Sequence, residues 1–273
     1  MIEDSAGAID YQEADCPNGD RAPTVVFVPG SCSTGAAWRP VIAALNGRYR
    51  CVTTSLLGYG RTAERRTPDD PSIRHEVDVV EAVIRRAGGP VHLVGHSFGG
   101  LVSLAVALHG RVPLASLTIA EAPGPELLHA VGEHAHYRSF RDMFASYSAA
   151  YASGNREAIA TMIDFYAGAG TFASWPPRVR DYAIETTAVN LLDWANAYDF
   201  ALSPARLGDI ALPVLVMRGG ASHPAVLRLN ELLSMHIPGA RLATIPGAAH
   251  FMISTHAEEV ARAIAGHVAR SPS

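Results

Sequence analysis

Short apolar runs recur toward both ends of the chain, each closing on glycine, proline or small polar residues. Thr24 to Val28 ends at Pro29-Gly30, and Arg50 to Ser55 leads to Gly58-Tyr59-Gly60. Pro90 to Val94, Leu114 to Ala120, Pro213 to Met217 and Arg241 to Ile245 follow the same grammar. Runs this short and this continuously apolar read as strands covered on both faces, the condition of a parallel sheet. Helical spacings lie between them. Trp38 to Leu45 is one, and Ser72 to Arg86 another, with Ile73, Val77, Val80 and Ile84 on its buried face; Leu101 to Leu108 and about His256 to Val268 complete the set. Alternation of strand and helix predicts an α/β fold with a mostly parallel, doubly wound sheet.

The middle of the chain breaks that alternation. No strand candidate occurs from about Pro123 to Gly208, a stretch far longer than the roughly 2 to 6 residues that usually join units of such a sheet. The expected organisation is therefore a core from residues 1–122 and 209–273, with 123–208 inserted as a helical cap. Phe140, Phe144, Tyr147 and Tyr151 fall on one helical face, and Asn155 is a cap candidate for a next helix ending near Gly168. Pro176-Pro177 opens a further helix carrying Tyr182, and helical character continues through Leu191, Trp194 and Tyr198. The insertion holds 13 of the 20 aromatic residues, enough either for a small core of its own or for a lid over an apolar pocket.

Composition narrows the class. At 273 residues, 48% of them hydrophobic, the chain can bury one large core. A formal charge of −4 offers no basic stripe for a nucleic-acid backbone. All 22 basic residues are arginine, a bias without an evident mechanism. Cys16, Cys32 and Cys51 are odd in number and fit reduced thiols better than a disulfide framework. The acidic start Met1-Ile2-Glu3-Asp4 lacks the marks of a signal peptide, and no apolar run approaches a membrane span; a cytoplasmic location is expected. Neither H-E-x-x-H spacing nor a phosphate-binding loop occurs, so no metal or organic cofactor is implied. Oligomeric state is not legible.

One stretch carries chemistry. Gly95-His96-Ser97-Phe98-Gly99 follows the run Leu93-Val94 and precedes the helix from Leu101, so a G-x-S-x-G serine sits at a tight strand-to-helix turn. Ser97 is the candidate nucleophile. Serine needs a base held by an acid. Among twelve histidines, His250 alone follows a strand and the small-residue turn Pro246-Gly247-Ala248-Ala249. His96 is expected to pack beneath Ser97, His92 to be a buried strand residue and His75 a solvated helix position. After Pro213 to Met217, where an acid would be sought, stand Arg218-Gly219-Gly220-Ala221-Ser222 with no carboxylate, and Glu231 lies mid-helix. Glu121 directly follows the strand Leu114 to Ala120. Strands ~4.8 Å apart would let it reach the far nitrogen of a histidine engaged with Ser97. The competing reading makes Glu121 a helix cap and leaves Ser222 or a water to orient His250. The amides of Ser31 and Phe98 are the candidate oxyanion donors. Cys32, Tyr147, Trp175 and Trp194 are candidate pocket residues; Trp38 is expected in the core and Arg61 in solvent.

Together these residues resemble the α/β-hydrolase superfamily. The resemblance runs from Thr24 to the C-terminal helix and rests on Pro29-Gly30-Ser31 with Trp38 downstream, Gly58-Tyr59-Gly60, the elbow, the ending Ile245 to His250 and a helical insertion. It departs from the family at two points. Pro29 stands where a histidine usually precedes the oxyanion-loop glycine, and the usual acid position near Ser222 is empty. Branches that take the acid after the next strand, including some fungal lactone-cleaving hydrolases, place it where Glu121 falls. The resemblance implies a serine hydrolase acting on a carboxylic ester or lactone, and the aromatic-rich insertion favours a small-molecule substrate with an apolar or aromatic group. Hydrolysis of a C–C bond, perhydrolysis, a lyase reaction or a non-catalytic binding role are the alternatives.

Overall fold

The computed structural model describes residues 1–4, 7–16 and 22–271. Nine strands are present among them: β1 (Ile2–Asp4), β2 (Gly7–Ile9), β3 (Gln12–Glu13), β4 (Thr24–Val28), β5 (Arg50–Thr53), β6 (Val91–His96), β7 (Leu114–Ala120), β8 (Val214–Gly219) and β9 (Arg241–Ile245). β1 and β2 form a separate antiparallel pair. The other seven make one sheet in the order β3-β5-β4-β6-β7-β8-β9, parallel except for the edge pairing of β3 with β5. The three N-terminal strands have no counterpart in the hydrophobic pattern, because two or three residues are too few to show a period. β5 is shorter than its apolar run, whereas β6 and β8 extend beyond theirs.

Helices cover both faces. The chain forms α1 (Arg39–Ala44) behind a 3-10 turn, α2 (Arg74–Ala87) and α3 (Phe98–His109) before the insertion. After it come α11 (Pro224–His236), α12 (Met252–Thr255) and α13 (Ala257–Val268). Side chains of each strand alternate between two cores. Val26, Val28, Leu93, Leu117, Ile119 and Val216 join α2, α3 and α11 on one face. Val25, Phe27, Val94, Leu215 and Met217 join Trp38, α1 and α13 on the other. This two-sided burial is the reason the strands read as continuous apolar runs.

Between β7 and β8 the chain is helical: α4 (Pro125–Ala130), α5 (His134–Ala152), α6 (Ile159–Ala167), α7 (Thr171–Ser174), α8 (Pro177–Glu185), α9 (Thr187–Asp199) and α10 (Pro204–Gly208). Asn155 lies before α6, where its Oδ1 accepts from the Glu157 amide at 2.9 Å and shapes the turn into that helix. Phe140 and Tyr147 of α5 are fully buried, while Tyr151 is exposed. Phe140, Phe144, Tyr166, Trp194 and Tyr198 pack ring against ring with centroids 5.4 to 6.4 Å apart. These aromatics hold α5, α6 and α9 together as one layer. No helix among the described residues is long and apolar enough to cross a membrane.

Candidate active site

Three loops meet where the parallel strands end. β6 hands the chain to α3 through Ser97, whose φ of 53° and ψ of −130° lie outside the ordinary regions for a side-chain-bearing residue. The turn is possible because its neighbours are glycine. A Cβ on Gly95 would fall 2.3 Å from the Gly99 carbonyl oxygen, and one on Gly99 would fall 2.2 Å from that of Pro29. Glu121, directly after β7, also has a positive φ, 50°, and so does Cys32 at 54°. Backbone cost is concentrated at this edge of the sheet, as is common where side chains must be aimed.

Ser97, His250 and Glu121 form a continuous hydrogen-bonded line. Ser97 Oγ lies 2.9 Å from His250 Nε2, and His250 Nδ1 lies 2.8 Å from Glu121 Oε2. A carboxylate only accepts, so Nδ1 carries the ring hydrogen and Nε2 is left to accept from the serine. The Glu121 side chain is fully buried. Its other oxygen, Oε1, accepts from the Gly219 amide at 2.7 Å and from Ser222 Oγ at 2.5 Å. Ser222 thus bonds to Glu121, and the carboxylate orients the imidazole. β7 sits between β6 and β8, so the end of β7 is within reach of both the elbow and the Gly219 turn.

His96 lies under the elbow. Its Nε2–H donates to the His250 carbonyl at 2.8 Å, and burial together with the nearby His250 ring pushes its pKa down to about 3. It is a neutral strut. His92 is buried and bonds Ser116 at 2.8 Å, and Trp38 packs at 5.0 Å from Phe27 in the core. His75 pairs with Asp70, Glu231 with Arg228, and the largely exposed Arg61 with Asp10.

A cavity of about 1010 Å³ opens above Ser97, within the range of sites that enclose whole small molecules. Ser31, Phe98, Cys32, Trp175 and Trp194 line it, as do Met162, Tyr166 and Phe251. Tyr147 does not. Its ring points into the packing of the insertion, and its hydroxyl donates to the Thr187 carbonyl at 3.3 Å. Tyr147, expected as a pocket residue, belongs instead to the core that the insertion builds for itself. Burial pushes the Cys32 thiol up to about 12, which leaves it protonated and unreactive.

Two features of the site have no signal in the sequence pattern. The Tyr166 ring of α6 is stacked on His250. In addition, Asp193 of α9 descends onto the loop after β4. Its Oδ2 accepts from Ser31 Oγ at 2.5 Å and from the Tyr59 hydroxyl at 2.7 Å, and its Oδ1 accepts from Arg66 at 2.6 Å. Glu64 and Glu76 also face Arg66, at 2.8 and 3.1 Å. Burial pushes the Asp193 carboxyl up against the opposing pull of Arg66 and the two hydroxyls. Among the described residues no group of three His, Cys, Asp or Glu side chains is placed to hold a metal ion.

A buried Ser-His-Glu line at the carboxyl edge of a parallel sheet, beneath an inserted helical cap, is the architecture of an α/β-hydrolase. The sequence signature of the alpha/beta hydrolase family matches residues 25–263, and the chain belongs to that family. Polyketide synthase ThaQ of Burkholderia thailandensis is 28% identical over 262 residues, covering 90% of this chain; the chain spans only 12% of that much longer protein. The 3-oxoadipate enol-lactonase 1 of Acinetobacter baylyi is 25% identical over 233 residues, 80% of this chain and 78% of its own. Among solved structures, the enol-lactonase from Burkholderia xenovorans superposes with a TM-score of 0.74 at 18% identity, with 96% of each chain covered, a likeness of fold.

Proposed function

We propose that the protein is a serine hydrolase that cleaves a carboxylic ester or lactone through an acyl-enzyme on Ser97. The observation that carries this reading is the line from Ser97 Oγ through the His250 ring to Glu121, with separations of 2.9 and 2.8 Å. In the first step Ser97 Oγ attacks the carbonyl carbon while His250 Nε2 takes its proton. Glu121 holds the ring in the required tautomer and stabilises the imidazolium. The Ser31 and Phe98 amides receive the developing oxyanion. Collapse breaks the bond to the alcohol oxygen, which leaves with the proton from Nε2; in a lactone it stays tethered to the acyl group. Water then repeats the sequence and frees Ser97.

Residues 123–208 serve in this reading as the lid. Met162, Ile163, Tyr166, Trp175, Tyr182 and Trp194 come from that segment and supply an apolar wall to the cavity. The expected substrate therefore carries a bulky apolar or aromatic acyl or alcohol group. The name of the enol-lactonase relative supports a cyclic ester as one class of bond cleaved.

A fluorophosphonate probe should label the protein stoichiometrically and spare Ser97→Ala. A panel of p-nitrophenyl esters of rising chain length, run beside aryl lactones, should show turnover lost in the same variant. Labelling and turnover that persist in Ser97→Ala would refute the assignment.

A further inference from the structure

The loop after β4 is held from two sides. From the core, Ser33 Oγ donates to the Gly30 carbonyl at 2.8 Å, and the Gly35 amide donates to Ser55 Oγ at 3.3 Å. Gly30 itself lies hard against the nucleophile, since a Cβ there would fall 2.8 Å from Ser97 Cβ. Cys32 adopts its positive φ within the same loop. A loop under such local cost keeps one shape only when its surroundings over-determine it.

From above comes α9. Asp193 and Arg66 have side-chain exposures of 2% and 0%, so the ion pair between them is enclosed. Tyr59 and Arg66 alone would satisfy the carboxylate and fasten the insertion to the core. The bond from Ser31 is a further tie, made by a partly exposed residue on the cavity wall. It lands on the residue whose amide would face the oxyanion. A lone carboxylate so near a developing negative charge would oppose the reaction. Arg66 at 2.6 Å, although shared with Glu64 and Glu76, and the Tyr59 hydroxyl at 2.7 Å weaken that opposition while the carboxylate anchors the loop.

We propose that Asp193 is a positioning residue for acyl transfer: by holding the Ser31 hydroxyl it fixes the orientation of the residue-31 amide toward the oxyanion and makes that orientation depend on the seating of α9. The inference rests on the reading of Ser31 as an oxyanion donor given above. Its consequence is that the lid and the oxyanion loop act as one unit, competent only when the α9 contact is made.

The test uses the whole chain with p-nitrophenyl butyrate as substrate and phenylboronic acid as a mimic of the tetrahedral adduct. Ser31→Ala should lower kcat by about 10- to 100-fold, the scale of a misplaced catalytic group, with KM within about twofold. Boronic acid affinity should fall by a similar factor. Asp193→Asn should lower kcat comparably, but by less than about threefold further in the Ser31→Ala background, because both changes cut one tie. Effects that multiply in the double variant, or a wild-type kcat for Ser31→Ala, overturn the proposal. If Asp193→Asn does not fold, Ser31→Thr decides. Recovery of kcat in this hydroxyl-bearing variant supports the tie, and equal loss in the Thr and Ala variants overturns it. Failure of the underlying reading is separate and shows as undiminished turnover in Ser97→Ala.

Discussion

The phenol ring of Tyr166 lies flat on the imidazole of His250, with centroids 4.0 Å apart and planes inclined by 28°. Phe251 meets the same imidazole edge-on at 5.3 Å and 80°, and His96 approaches it at 4.9 Å. Three rings and two hydrogen bonds therefore fix the orientation of His250. One of those rings belongs to the helical insertion, so the insertion touches His250 as well as lining the cavity.

Tyr166→Ala is expected to lower kcat by about tenfold by freeing the imidazole to rotate, whereas Tyr166→Phe keeps the ring and the rate. The Tyr166 hydroxyl is buried with no hydrogen-bond partner among the described residues. Its removal should leave stability unchanged or raise it by about 1 kcal/mol. Ester turnover and thermal unfolding of both variants test this. Equal losses of kcat in the Phe and Ala variants would discard the stacking argument.

Glu121→Gln should reduce kcat by about 10⁴-fold, since an amide in place of the carboxylate no longer enforces the tautomer that lets Nε2 accept the serine proton. Ser222→Ala should be milder, about 3- to 10-fold, because the Gly219 amide still donates to Oε1 at 2.7 Å. Steady-state kinetics of the two variants check the order. A near-wild-type rate in Glu121→Gln would move the role of the acid elsewhere.

Gly99→Ala should destabilise the protein by about 3 kcal/mol or more, because its new methyl group meets the backbone carbonyls of Pro29 and Val28 rather than a movable side chain. Gly208→Ala, which meets nothing within 4 Å, should change stability by less than about 0.5 kcal/mol. Urea unfolding of the pair provides the comparison. Similar midpoints would show that the elbow relaxes more easily than its contacts imply.

Burial, reinforced by the nearby Asp193 carboxylate and only partly offset by Arg66, pushes the Glu76 carboxyl from 4.5 up to about 8. Three carboxyl groups surround one guanidinium, so one of them is most stable uncharged. Between about pH 4.5 and about pH 8 the folded chain keeps a proton that the unfolded chain has released, and stability contributed by this group declines as pH rises through that window. Glu76→Gln removes the decline. Its thermal midpoint should gain on the wild type from about pH 5 to about pH 8 and then hold level, and parallel curves between about pH 5 and about pH 8 would contradict the assignment.

Much of the sheet edge that brings Ser97, His250 and Glu121 together is legible in the sequence. Strand periodicity, the glycines around Ser97, the turn before His250 and the place of Glu121 right after an apolar run are all short-range signals. They depend on alternation of side chains across a sheet and on which residues tolerate a tight turn, and both rules act over a few neighbouring residues. The absence of a carboxylate near Ser222 is equally plain in the sequence, and it leaves the end of β7, at Glu121, as the place for one.

The sequence by itself thus determined the six parallel strands of the sheet, the elbow and the helical character of residues 123–208. The tertiary structure decided how those helices are rotated and what they touch. Tyr147 and Tyr166 are both buried aromatics on amphipathic helices, yet one packs within the insertion and the other on His250. Asn190, Asp193 and Asn196 are buried polar residues of α9, and helical spacing does not say which partners enclose them. Arg66 carries no local signal of burial, and it meets Asp193 across 127 residues of sequence. Local spacing selects which face of a helix is apolar. The angle at which that helix crosses its neighbours is set by packing among distant segments, and this fixes where each side chain ends and which buried charge finds its counterion.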